Sequence, residues 1–138
     1  MINAKAETVD EKPSFRSAFK RRRCLIPADG FYEWKKLPDG TKQPYRICLA
    51  HRGPFSFAGL WETNKDLDVI SCTIITCPPN EVAGAIHNRM PVILLQEDYD
   101  AWLSPETSQD DAKALLRPYE GDMVAYPVKK AVGFAQER

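Results

Sequence analysis

An α+β domain built mainly on antiparallel sheet is the fold class this sequence predicts, and three observations carry it. Runs rich in β-branched and aromatic residues, punctuated by Pro, Asp and Gly, fill the first half. Helical patterns gather in the second half, and the regular βαβ alternation of a doubly wound sheet is absent. A length of 138 residues suits one domain with a sizeable core. The hydrophobic fraction of 43% and the charged fraction of 28% are ordinary for a globular protein. Lys and Arg number 19 against 19 Asp and Glu, so net charge announces no nucleic-acid partner. No apolar run approaches the ~20 residues that a membrane span needs, and no charged-then-apolar leader pattern opens the sequence. A cytoplasmic protein with no membrane partner is expected.

The elements follow in order. "MINAKAETVDEKPSF" has no turn signal or cap before its first apolar residue and reads like a chain entered in mid-domain. Residues Ser14 to Lys20 suit a short helix ahead of the basic run Lys20-Arg21-Arg22-Arg23. "RCLIPADGFYEWKK" holds two β-prone runs split by the turn residues Pro27-Ala28-Asp29-Gly30. "LPDGTKQ" carries Pro-Asp-Gly and joins the second of these runs to "PYRICLA" as a hairpin. "RGPFSFAGLWE" and "VISCTIITC" continue the strand pattern. "PPNEVAGAIHNRM" suits a helix with Asn80 as N-cap and Val82, Ala85 and Ile86 on one face. "PVILL" fits a short buried strand, "QEDYDAWLS" and "SQDDAKALLRPY" two helices with acidic starts, and "MVAYPVKKAVG" a last strand before a frayed tail.

Four cysteines, Cys24, Cys48, Cys72 and Cys77, form no C-x-x-C pair and lie in or beside strand-like runs, which fits buried reduced thiols. No metal motif, phosphate loop or nucleophile elbow is present, and no metal or cofactor is expected. Glu33 sits between Tyr32 and Trp34. It is either an outward-facing strand acid or a desolvated carboxyl fit for proton transfer. His87 is a structural hydrogen-bonder or, with Arg89 two residues on, half of a cationic pair turned to a common anion. Asn3 and Lys5 project the same way if their segment is extended. The basic run is a solvated face or, interleaved with Phe15, Trp34, Tyr45 and Trp61, a groove for single-stranded nucleic acid.

In combination, "INAKAETV", "KPSFRSAF", "RRCLIPADGFYEW", "PFSFAGLWE", "CTIITCPPN" and "IHNRMPVIL" resemble the SOS-response-associated peptidase (SRAP) family of abasic-site processing proteins, in family order from Ile2 to about Leu95. The resemblance implies a mainly antiparallel β domain with barrel-like sheets, short helices and a basic groove for single-stranded DNA. It implies a covalent crosslink to abasic sites through an N-terminal cysteine, whose amine and thiol close a thiazolidine ring on the sugar aldehyde. Asn3, Glu33 and His87 match the family's catalytic positions. Lys5 and Arg89 match phosphate contacts, and Trp34 and Thr76 match groove residues. Lys5 stands where the family usually has Arg, which weakens any bidentate grip. The residue after Met1 is Ile2 rather than cysteine. A single domain over residues 1–138 lacking its N-terminal third is therefore expected, as is a monomer.

Three readings compete. The first is an abasic-site enzyme domain whose partner is single-stranded DNA, with no small-molecule cofactor. The second is a non-catalytic DNA-binding remnant, and the third a cysteine autopeptidase.

Overall fold

The computed structural model describes residues 3–130. Among them, nine strands form two sheets flanked by four short α-helices, and the expected α+β class is the result. The first sheet holds β1 (Asn3–Lys5), β2 (Arg23–Ala28), β5 (Phe55–Asn64) and β6 (Val69–Cys77) in the order β1-β6-β5-β2. Every pairing in it is antiparallel except β1 with β6. The second sheet is β3 (Phe31–Lys36), β4 (Lys42–Leu49) and β9 (Met123–Pro127), all antiparallel. The Pro38-Asp39-Gly40 turn closes the β3–β4 hairpin: Gly40 takes φ +88, and Asp39 Oδ1 accepts from the Thr41 N–H at 2.9 Å.

Three expectations need correction. Pro27 and Ala28 belong to β2, so the break before β3 is only Asp29-Gly30, and it carries the chain from one sheet to the other. Helix α2 is only Glu81–Gly84, although Asn80 does cap it by accepting from the Ala83 N–H at 2.9 Å. Its buried residues are Ala83 and, just beyond, Ile86, while Ala85 is exposed, so a single turn replaces the amphipathic face. Helices α1 (Arg16–Arg21), α3 (Tyr99–Leu103) and α4 (Gln109–Ala114) fall near their expected places. The tail after Gly133 lies outside the described residues.

The run "MPVIL" is not one strand. Its first part, β7 (Met90–Pro91), pairs with β6, and its second, β8 (Ile93–Leu94), pairs with β5. Val92 bridges them, donating to Ile75 O at 2.8 Å and accepting from Ala58 N at 2.9 Å. The β5–β6 hairpin therefore splays at this end, and the segment fills the gap with backbone hydrogen bonds. Ring packing joins the two sheets at the same place: Phe31 of β3 and Phe55 of β5 both meet Phe57 edge-on, at 5.9 and 5.2 Å. Truncating a buried ring such as Phe57 to Ala costs about 3–5 kcal/mol. Away from this junction, Trp61, Leu67, Val69 and Ile70 on the β5–β6 hairpin stay exposed.

Candidate acid–base and nucleic-acid cleft

A cleft of about 460 Å³ opens between the outer face of β1 and β6 on one side and β3 on the other. Strand alternation decides who lines it. Parallel pairing sets Asn3 beside Ile74 and Lys5 beside Thr76, so these four face the cleft while Ala4 and Ile75 enter the core. Glu33 and Trp34 line the β3 wall, and His87 and Arg89 come from the stretch between α2 and β7. All seven residues that the resemblance matched to site positions thus border one cavity, while Phe15, Tyr45 and Trp61 of the aromatic groove reading do not line it. Phe31, Tyr32, Phe57 and Met90, for which sequence reasoning had no signal, form its apolar lining.

Glu33 Oε2 lies 3.8 Å from His87 Nδ1, although 54 positions separate them (87 minus 33). That is an ion-pair distance rather than a hydrogen bond. The Glu33 side chain is 25% exposed and the His87 side chain 41%. Burial raises the Glu33 pKa above its usual value, opposed in part by His87 and by a backbone hydrogen bond at Trp34. Of the two readings of Glu33, the half-buried acid is the one the geometry favours. His87 Nδ1 also lies 3.3 Å from both the N–H and the carbonyl of Arg89, accepting from the first or donating to the second according to the ring's tautomer.

The Arg89 guanidinium makes a different pair. It forks onto Glu7, Nη1 to Oε2 at 2.6 Å and Nη2 to Oε1 at 2.9 Å. It also donates to Thr76, reaching the carbonyl at 2.9 Å and Oγ1 at 3.1 Å. These bonds hold the Glu7 carboxyl down at about 2. The anion expected between His87 and Arg89 is therefore replaced, for Arg89, by a carboxylate of the chain itself. Glu7 was missed, yet Asn3, Lys5 and Glu7 follow the period-2 spacing that already linked the first two. Lys5 makes no side-chain hydrogen bond or ion pair among the described residues and is the cleft's free cation there.

The basic run divides its labour elsewhere. Arg23 donates to the carbonyls of Phe19, Trp102 and Ser104 at 2.7–2.8 Å and lies over the fully buried Trp102 ring. Arg22 pairs with Glu62 at 2.8 Å beside Trp61. Both serve the scaffold, which removes them from a groove reading; Lys20 and Arg21 line a separate shallow hollow on α1. Of the cysteines, Cys48 and Cys77 are buried, Cys24 is half-buried, and Cys72 is exposed, against expectation. None lines the cleft. Burial pushes the Cys24 and Cys77 thiols up to about 11, the reverse of an activated nucleophile.

Two curled, mostly antiparallel sheets with an acid–histidine pair and cations across one cleft make that cleft the candidate functional site. The family model described as SOS response associated peptidase (SRAP) matches residues 1–135, and the chain belongs to that family. It is 51% identical over 137 residues to the abasic site processing protein YoqW of Bacillus subtilis, covering 96% of this chain and 61% of that one. The abasic site processing protein HMCES of Xenopus tropicalis is 34% identical over 154 residues, covering 94% of this chain and 45% of its own length. A crystal structure of a Bacteroides thetaiotaomicron protein superposes with a TM-score of 0.85 at 35% identity, over 99% of this chain and 61% of that one. The chain thus spans about three fifths of the length of its bacterial relatives. Among the described residues no helix is long and apolar enough to cross a membrane.

Proposed function

We propose that this chain forms the DNA-holding and acid–base part of an abasic-site processing protein acting on single-stranded DNA. One observation carries the reading: Glu33 and His87 meet at 3.8 Å in a cleft that also holds Asn3, Lys5, Trp34, Thr76 and Arg89. The relatives' shared name, abasic site processing protein, supports it. An abasic sugar is a hemiacetal. Opening it moves a proton from the C1′ hydroxyl to the ring oxygen, which needs a base and an acid side by side. The imidazole of His87 and the carboxyl of Glu33, with its raised affinity for a proton, suit those tasks. Lys5 and the polar edge of Arg89 would meet the flanking phosphates, and Trp34 offers a ring for a neighbouring base. A cytoplasmic location fits this work.

The freed aldehyde reacts with a primary amine, losing water to give an imine. A thiol on the adjacent carbon then adds to the imine carbon and closes a thiazolidine, without further loss of atoms. Only an N-terminal cysteine offers both groups. A peptidase reading finds no support in Cys24, Cys48, Cys72 or Cys77, which stand off the cleft.

Fluorescence anisotropy of abasic and intact oligonucleotides across a salt series tests the proposal. Binding should prefer the abasic strand and weaken with salt, with a log–log slope of about −0.7 per phosphate contacted. No binding at low salt, or binding indifferent to salt, would refute it.

A further inference from the structure

Arginine has five N–H donors in a rigid fork. In Arg89, Nε–H is directed to Thr76 Oγ1 at 3.3 Å and one Nη1–H to Glu7 Oε2 at 2.6 Å. The two Nη2 hydrogens divide between Glu7 Oε1 and Thr76 O, each at 2.9 Å. Four of the five are engaged, and among the described residues one Nη1–H remains. The clamp is itself anchored. Thr76 O also accepts from the Ala6 N–H at 2.8 Å, and Lys113 of α4 reaches Glu7 O at 3.3 Å and Asp10 Oδ1 at 2.9 Å. A guanidinium held this way cannot offer the two-pronged grip on a phosphate that a free arginine makes.

We infer that Glu7 is a positioning residue: its carboxylate cancels the charge of Arg89 and aims the remaining N–H into the cleft, so that Arg89 orients the strand and Lys5 supplies the attraction. The inference rests on the cleft being the DNA site. It separates two jobs that cations in a groove usually combine. Long-range pull and salt sensitivity fall to Lys5, which has no partner among the described residues. Register at the abasic sugar falls to the neutralised, immobile pair beside His87. A Glu7 that merely stapled β1 to the stretch before β7 would have a different signature. Its removal would loosen the cleft and weaken every strand alike.

The test is anisotropy with abasic and intact single strands across a salt series, for wild type, Glu7→Gln, Arg89→Ala, the double variant and Arg89→Lys. Glu7→Gln keeps the shape but frees the arginine. It should steepen the salt slope by about 0.7, one more phosphate neutralised, tighten intact-strand binding several-fold at low salt, and erode the preference for the abasic strand. In the Arg89→Ala background the same change should leave the preference for the abasic strand unaltered, since only the charge of Glu7 near Lys5 is then removed. Arg89→Lys keeps the charge pair but loses the planar fork. It should keep the wild-type slope and lose the preference, an outcome that can be read even if Glu7→Gln fails to fold. An unchanged slope with weaker binding to both strands, a change of preference that persists without Arg89, or an Arg89→Lys variant with full preference would each overturn the inference. Wild type failing to bind any single strand would overturn the cleft reading as well.

Discussion

Two carboxylates, one lining the cleft and one holding an arginine that lines it, are treated in opposite ways. Glu33, on the β3 wall, is half-buried, 3.8 Å from an imidazole, and shifted toward keeping its proton. Glu7, in the turn just past β1, is half-exposed, forked onto Arg89, and held ionised down to about 2. The same side chain becomes a proton carrier where desolvation dominates and a fixed strut where a hydrogen-bonded guanidinium dominates. The backbone arranges the difference. Glu33 is on a strand whose neighbours Phe31 and Trp34 also line the cleft, while Glu7 follows a three-residue strand pinned to β6.

The largest expected effect is on chemistry at the Glu33 side. The 138-residue polypeptide, incubated with abasic single-stranded DNA, should give a crosslink on a denaturing gel only after borohydride reduction of an imine. A heat-stable adduct without reductant would contradict this. In a version extended to begin with cysteine, Glu33→Gln and His87→Ala should each slow adduct formation about 10²-fold, whereas Glu7→Gln should slow it far less. Equal losses at both carboxylates would erase the contrast between them.

A smaller effect separates scaffold cations from cleft cations. Arg23→Lys cannot restore three carbonyl bonds with a point charge, and should cost about 1–3 kcal/mol in urea unfolding while leaving DNA affinity unchanged. Lys5→Gln should do the reverse. A DNA defect in Arg23→Lys at full stability would return the basic run to the groove.

The smallest effects are in acid. Glu7's pKa is depressed, so its contribution is complete above the usual glutamate value of 4.5 and is lost as pH falls toward about 2. With half the side chain in solvent, that is about 1 kcal/mol or less. It should vanish in Glu7→Gln. Glu33 runs oppositely, since its native pKa is raised. It costs nothing below the usual value and subtracts stability as pH rises through the native one, so the gain from Glu33→Gln should grow as pH rises above 4.5.

The period-2 and turn signals made much of the sheet legible: the Pro38-Asp39-Gly40 hairpin, the alternation of Asn3 and Lys5, and the Asn80 cap are local features that local chemistry specifies. What stayed hidden is long-range. Nothing near Asp29-Gly30 tells β2 and β3 to join different sheets, and nothing in "PVILL" tells Val92 to bridge two splayed strands. A run of four basic residues reads as one patch, but Phe19, Trp102 and Ser104 lie up to 81 positions away and claim Arg23. The cleft residues came from the resemblance, and it passed over Glu7 because an acid beside a phosphate contact has no obvious purpose until Arg89 is seen to need a partner.

The contrast between the two carboxylates is tested most directly by carbon-detected NMR titration of the Glu33 and Glu7 side-chain carboxyls in the folded protein, with Glu33→Gln and Glu7→Gln to assign them. Glu33 should titrate above 4.5 and in step with a shift at His87, and Glu7 should stay ionised until about 2. Glu33 titrating at or below the usual carboxylate value, or the two carboxyls titrating together, would contradict the division of roles between them.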